Sequence, residues 1–320
     1  MSKELTASVG GSERTVTTAG ASGVAGGLNI SALIDSFLGA QDVREISKTL
    51  YRKGLERFLG WLSFNQIERP DRNDVLRFRD SLTSAGLAAN SVNAYLSGVR
   101  KFFAWLESMR KYPNIARDVK GAKQSRAYLR QALTLAQVKS TLSQLDTLTI
   151  QGKRDFAIIN LMTRTGLRTI EVVRANIEDL KQESGESLLY IQGKGRDSKD
   201  EFVLLTPGAL NPLMEYLKTR GRANPQDPLF VSLSDRNSGQ RLSTKTLRQI
   251  VKANFRKINL DSRKLSAHSL RHTFATQALR SGAPLIQVQS ALRHKSIETT
   301  QLYCHNIDRI DRAAERYIDF

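Results

Sequence analysis

The chain has 320 residues, 40% of them hydrophobic and 25% charged, a balance close to that of an average globular protein and far from that of a disordered one. Its 49 Lys and Arg against 31 Asp and Glu leave a formal net charge of +18, which suits a polyanion; nucleic acid stands ahead of an anionic membrane, because no run of about 18 apolar residues and no isolated basic amphipathic tail exists. The single cysteine, Cys304, excludes an intrachain disulfide and a multi-cysteine zinc site, and the start Met1-Ser2-Lys3-Glu4-Leu5 has no apolar segment of the secretory kind, so a cytoplasmic, nucleoid-associated protein is expected.

Residues 1–28 are rich in Gly, Ser, Thr and Ala, contain no aromatic residue and show no hydrophobic period, which predicts a flexible N-terminal arm. Its charges, Lys3, Glu4, Glu13 and Arg14, cancel and argue against an arm that grips phosphates. From 29 to 110 the apolar residues fall at helical spacing: Ile30, Leu33, Ile34 and Phe37; Tyr51, Leu55, Phe58, Leu59 and Leu62; Val75, Phe78 and Leu82; then Val92 to Leu106 after a break at Gly86. Four or five helices of this length predict a compact bundle. Between 111 and 130, Lys111, Arg117, Lys120, Lys123, Arg126 and Arg130 face one acid, Asp118, and Pro113 and Gly121 break any continuous helix. This predicts a basic interdomain linker lying along phosphates, with an ordinary solvated linker as the alternative.

A second domain is expected over 131–320. Thr134-Leu135-Ala136-Gln137 has the form of a capping box ahead of an apolar run. Helices are predicted at 134–145, 153–165 and 169–175. The period then changes to two strands, 188–192 and 201–205, joined by a turn at 193–200. Helices resume at 207–220, 243–257, 266–280, 284–292 and, with an interruption, 296–318. The fold class expected is mainly α with a small antiparallel β-sheet.

All four histidines, His268, His272, His294 and His305, lie near the C-terminus. Residues three and four apart share a helix face, so His268, Arg271 and His272 share one. A zinc pair spaced i, i+4 is the metal alternative, but Ser269 stands where a metalloprotease carries its Glu, and Arg271 would set a cation beside the metal. A phosphate site fits better, since the Arg fork holds two phosphate oxygens at once.

At this point a family resemblance becomes specific. His268-Ser269-Leu270-Arg271-His272-Thr273-Phe274 resembles the His-x-Leu-Arg-His-Thr-Phe signature of tyrosine recombinases of the Xer and phage integrase types. Leu292-Arg293-His294, with Tyr303 nine residues after the His, resembles the family's Leu-Gly-His element and nucleophile. Thr165-Gly166-Leu167-Arg168-Thr169-Ile170-Glu171 resembles its first arginine box, and Gly193-Lys194-Gly195 lies on the predicted hairpin where the family carries a lysine. Four boxes in the right order carry the resemblance, which spans roughly 30–320 and is strongest over 150–305. One departure is Arg293, where Gly usually precedes the His.

The resemblance implies an N-terminal core-binding bundle of the SAM-like kind and an α+β catalytic domain, together cutting and rejoining DNA without metal or cofactor for integration, excision or resolution. Tyr303 is the expected nucleophile, forming a 3′-phosphotyrosyl bond that stores the energy of the cut strand. Arg168 and Arg271 would hold the non-bridging oxygens, His294 would donate to the phosphate, His268 would assist proton removal, and Lys194 would be the acid for the leaving 5′ oxygen. The surrounding positive charge is expected to make the Tyr303 phenolate more accessible. Each assignment has a plainer rival: Arg168 as the i, i+3 ion-pair partner of Glu171, Lys199 in place of Lys194, Tyr303 as a core tyrosine, Tyr317 as another C-terminal tyrosine. His272 and His305 read as packing residues, and Cys304 likewise.

A stripe of Ile307, Ile310, Ala314, Tyr317 and Ile318 fits equally docking on a neighbouring subunit or packing on its own domain. The resemblance implies a homo-tetramer on two sites of double-stranded DNA, exchange through a Holliday junction, and possible accessory DNA-bending or directionality proteins. A type IB topoisomerase-like enzyme and a non-catalytic DNA-binding protein are the alternatives; recombinant product from two marked sites separates the first, and loss of a catalytic residue would mark the second.

Overall fold

The computed structural model describes residues 30–123, 131–193, 196–303 and 318. The chain divides into two units, Met1–Arg126 and Ala127–Phe320.

In the first unit four helices form around aromatic side chains: α1 (Ile30–Gly39), α2 (Glu45–Phe64), α3 (Arg72–Ser84) and α4 (Ala89–Ser108). The capping box that starts α3 is reciprocal: the Asp71 carboxylate accepts the Asn73 and Asp74 N–H groups, and Asp74 accepts the N–H of Asp71. Phe58 meets Phe78 and Phe103 edge-on at ring separations of 5.1 and 6.0 Å, the arrangement the ring quadrupoles favour. The described part of the stretch read as a basic linker, 111–123, packs on this bundle. Ala116 and Val119 are buried in its core, and Asn93 brackets the N–H and carbonyl of Ala122. Residues 1–29 and 124–130 lie outside the described residues, and so does the proposed arm.

The second unit is mainly helical with one small sheet. Its helices are α5 (Leu135–Ser143), α6 (Ile150–Thr165), α7 (Thr169–Arg174), α8 (Pro207–Arg220), α9 (Thr244–Lys257), α10 (Ala267–Arg280) and α11 (Leu285–Leu292). Residues 297–303 form a further helical stretch, α12. The expected capping box is present, Thr134 Oγ1 accepting from the Gln137 N–H and Gln137 Oε1 from the Thr134 N–H.

The sheet has three antiparallel strands in the order β1-β2-β3: β1 (Leu180–Glu183), β2 (Glu186–Ile191) and β3 (Glu201–Leu204). Leu188 pairs with Leu204 and Ile191 with Glu201, as the two expected strands require. β1 is an addition. Its sequence Leu180-Lys181-Gln182-Glu183 lacks apolar alternation, and its one signal is the Ser184-Gly185 turn, where both residues take positive φ (52° and 80°), as a tight two-residue hairpin demands. The main core is built on α6, whose Ile158, Ile159, Leu161 and Met162 pack with Leu189, Ile191, Tyr216, Phe255 and Leu270. A separate small cluster joins Ala275, Val288, Leu292 and Tyr303.

Candidate active site

The first arginine box is built by a helix end. α6 stops at Gly166, whose φ of +64° is the left-handed conformation that glycine adopts most readily, and a Cβ there would lie 2.6 Å from the ring of Phe274 and 2.9 Å from Leu292. Two residues on, Arg168 is the N-cap of α7. Its N–H reaches Glu171 Oε2 at 2.8 Å, its guanidinium meets Glu171 Oε1 at 2.7 Å, and a second N–H donates to the Arg293 carbonyl at 3.3 Å. Glu171 is wholly buried. Burial pushes its carboxyl upward, but Arg293, the Arg168 N–H and the Arg168 guanidinium together outweigh that and hold it below the usual carboxylate range. The ion pair offered as the plain alternative for Arg168 therefore exists, and it leaves that side chain a quarter exposed.

Arg271, on α10, is 1% exposed and donates to the carbonyls of Gly166, at 2.5 Å, and Leu292. Its guanidinium thus joins the end of α6 to the end of α11. Burial, reinforced by Arg168, lowers its pKa to about 9, which leaves it charged at neutral pH.

The rings follow. His268 is exposed and meets the buried His272 edge-on at 4.7 Å; His272 in turn lies 5.2 Å from the Tyr303 ring. His294 stacks parallel on Tyr303, 4° between planes with centroids 6.2 Å apart, and its Nδ1 lies 2.9 Å from Thr300 Oγ1. Burial lowers the pKa of His272 to about 4; His294 falls to about 4 through burial and then Arg271, Arg168, His268 and Arg293. Both imidazoles are neutral at pH 7.

Tyr303 differs from expectation in one respect. Only 4% exposed, it has its phenol pKa pushed up by burial, which exceeds the downward pull of Arg271 and Arg168. The nearby cations reduce the penalty without reversing it.

Lys194 and Gly195 lie outside the described residues, as do Cys304, His305, Tyr317 and the apolar tail stripe apart from the exposed Ile318. Beside them, Gly193 offers its carbonyl to Arg174 at 3.4 Å, and the rival Lys199 is bound to Asp179 at 2.6 Å. Among the described residues no three His, Cys, Asp or Glu side chains converge as a metal ligand set.

A groove of about 920 Å³ runs beside this cluster, lined by Thr169, Lys245, Arg248, Lys252, Ser266 and His268 among others. The basic face of α9 went unread in the sequence, although Lys245, Arg248 and Lys252 recur at helical spacing. Lys252 is held by Asp261 at 2.8 Å, which leaves Lys245 and Arg248 as the clearer phosphate candidates.

Comparison with known proteins gives a consistent result. The profile described as "Phage integrase family" matches residues 131–309, and that described as "Phage integrase, N-terminal SAM-like domain" matches 34–109. A tyrosine recombinase of Synechococcus elongatus is 32% identical over 244 residues, 76% of this chain and 75% of that one. Tyrosine recombinase XerD of Pseudomonas putida is 31% identical over 287 residues, 85% of this chain and 92% of that one. Among solved structures, the XerH site-specific recombinase bound to palindromic difH substrate, a post-cleavage complex, superposes with a TM-score of 0.70 at 24% identity, covering 90% of this chain and 84% of that one. A lambda integrase dimer bound to a COC′ core site superposes at 0.66 and 14% identity, covering 84% and 96%. These last two are likenesses of fold.

Proposed function

This chain belongs to the phage integrase family of tyrosine recombinases, and from that premise we propose how its own residues divide the work. A tyrosine recombinase cleaves and rejoins DNA strands through a phosphotyrosyl intermediate. Here the Tyr303 oxygen attacks the scissile phosphorus, the bond to the 5′ oxygen breaks, and the 3′ end is held on the tyrosine until a 5′ hydroxyl attacks in return.

The observation that carries the assignment is the seating of Arg271 on Gly166 and Leu292, which gathers the first arginine box, the second and the His294 turn around one point. Arg168 and Arg271 supply the charge over the non-bridging oxygens. With its pKa near 4, His294 is a neutral hydrogen-bond donor; if the Thr300 hydroxyl donates to Nδ1, the proton sits on Nε2, ready for a phosphate oxygen. His268, the exposed member of the ring series, takes the phenol proton, a need made greater by the raised pKa of Tyr303. Lys194 protonates the leaving 5′ oxygen; the ion pair that holds Lys199 to Asp179 favours Lys194 over it for that task. The two reverse roles on ligation.

The net charge of +18 and the α9 groove fit a duplex held by phosphate contacts. Four protomers on two recombination sites, exchanging strands through a Holliday junction in the cytoplasm, with DNA-bending or directionality proteins setting the outcome, complete the reading. Its support is family membership. The test is a suicide substrate, nicked near the cleavage position and drawn from the gene's flanking DNA, incubated in chelator. A covalent adduct in wild type that is absent in Tyr303→Phe establishes the nucleophile; salt-sensitive binding without an adduct at any candidate site overturns the catalytic reading.

A further inference from the structure

Arg293 ends α11 with φ +53°, a left-handed conformation that side-chain-bearing residues rarely adopt. Strain of this kind persists only where the surroundings hold it, and here they do. The Arg293 side chain turns inward until it is 7% exposed, gives one terminal nitrogen to Glu171 Oε2 at 2.7 Å and the other to the Ala291 carbonyl at 2.7 Å. Its Nε is buried with no hydrogen-bond acceptor among the described residues, and Glu201 Oε2 on β3 stands 3.7 Å from it. Its own carbonyl accepts from Arg168.

Glu171 therefore divides its two oxygens between two guanidinium groups, Oε1 to Arg168 and Oε2 to Arg293, with Oε2 also accepting the backbone N–H of Arg168. A guanidinium and a carboxylate pair most strongly as a parallel two-bond fork. With Arg293 absent, the Arg168 N–H would still hold Oε2, but the second lone pair of that oxygen would be open to the Arg168 guanidinium, and a fork formed there would draw donors toward the protein. As arranged, Arg168 spends one guanidinium N–H on Glu171 and one on the Arg293 carbonyl, and among the described residues three of the five that a guanidinium carries remain.

We infer that Arg293 is a positioning residue for strand cleavage: by occupying Glu171 Oε2 it prevents the fork and keeps the Arg168 guanidinium turned to the scissile phosphate. The Arg293 terminal nitrogens are bound to Glu171 and to the Ala291 carbonyl, so its part in cleavage is played through Glu171. The inference rests on the reading of Arg168 as a phosphate clamp.

Single-turnover cleavage of the suicide substrate and DNA affinity are measured in parallel for Arg293→Gly, Arg293→Lys, Arg168→Ala and the double variant Arg293→Gly/Glu171→Gln. Glycine suits the left-handed backbone at this position, which offsets part of the cost of removing a partner of the buried Glu171. The expected result is cleavage slowed about tenfold or more in Arg293→Gly, with DNA affinity within about twofold of wild type, the signature of an interaction made in the transition state. Lysine restores part of the rate. Glu171→Gln also restores part of it, because a neutral amide no longer draws the Arg168 guanidinium into a charged fork; loss of packing alone would gain nothing from that change. Wild-type cleavage in Arg293→Gly overturns the inference, and so does a loss of affinity in step with the loss of rate, or a double variant no faster than Arg293→Gly. Normal cleavage by Arg168→Ala would sink the clamp reading itself, whereas inactive Arg168→Ala beside normal Arg293→Gly sinks only the role of Arg293.

Discussion

Arg271 donates to the carbonyl of Gly166 at 2.5 Å, so the buried cation of one sequence box is seated on the backbone turn that launches the other. A single ammonium cannot span Gly166 and Leu292 as the guanidinium fork does. Arg271→Lys is therefore expected to bind DNA nearly as wild type does and to cleave about 100-fold more slowly or worse, in the range seen for loss of one transition-state donor. Gel-shift affinity and the single-turnover rate, taken on the same preparation, check the split.

Gly166→Ala tests the same turn from the other side. The substitution forces a Cβ into left-handed backbone and against the Phe274 ring. A loss of about 2 kcal/mol or more is expected, from strain and overpacking together. Urea unfolding measures the loss, and cleavage should fall further than stability explains, because Arg168 moves with the turn.

Replacing Lys245 or Arg248 with Ala should weaken binding to any duplex and lower the salt dependence, log Kd against log salt, by about one per residue. The cleavage rate at saturating DNA should hold. A salt slope unchanged in the double substitution would remove α9 from the DNA-facing surface.

His272 gives a pH signature. Its folded pKa, about 4, lies below the unfolded value of about 6.5, so burial of the neutral ring contributes stability that is whole above the unfolded pKa and is lost as pH falls through the folded one. The contribution is on the order of 3 kcal/mol, at stake between about pH 6.5 and 4. Wild-type stability should drop over that window and the drop should shrink in His272→Asn, whose side chain does not titrate; equal slopes in both proteins would refute the assignment.

Much of the site is readable in the chain because its boxes are local. Thr165 to Glu171 specifies a helix end, a turn and a capped helix start within seven residues, and the structure builds that sequence of events. His268 and Arg271 fall on one helix as their spacing requires, yet spacing says nothing of depth, and one proves exposed while the other is buried. The burial of Tyr303 is likewise invisible locally, since it depends on Ala275, Val288 and Leu292 arriving from two other helices. That is why the expected easing of its ionisation gives way to a rise. β1 escapes notice because an exposed polar strand needs no apolar alternation, and the basic face of α9 because each charge alone resembles a solvated surface residue. Arg293 is visible as a departure from the family's glycine, but its inward turn toward Glu171 is a tertiary fact.

Among the described residues, Tyr303 belongs to a satellite core of four buried side chains, apart from the main cluster built on α6. A small, separate cluster has its own opening free energy, below that of the whole domain. The stretch that carries Tyr303, the proposed nucleophile, is therefore expected to open locally, and its amides should exchange with solvent sooner than those of α6.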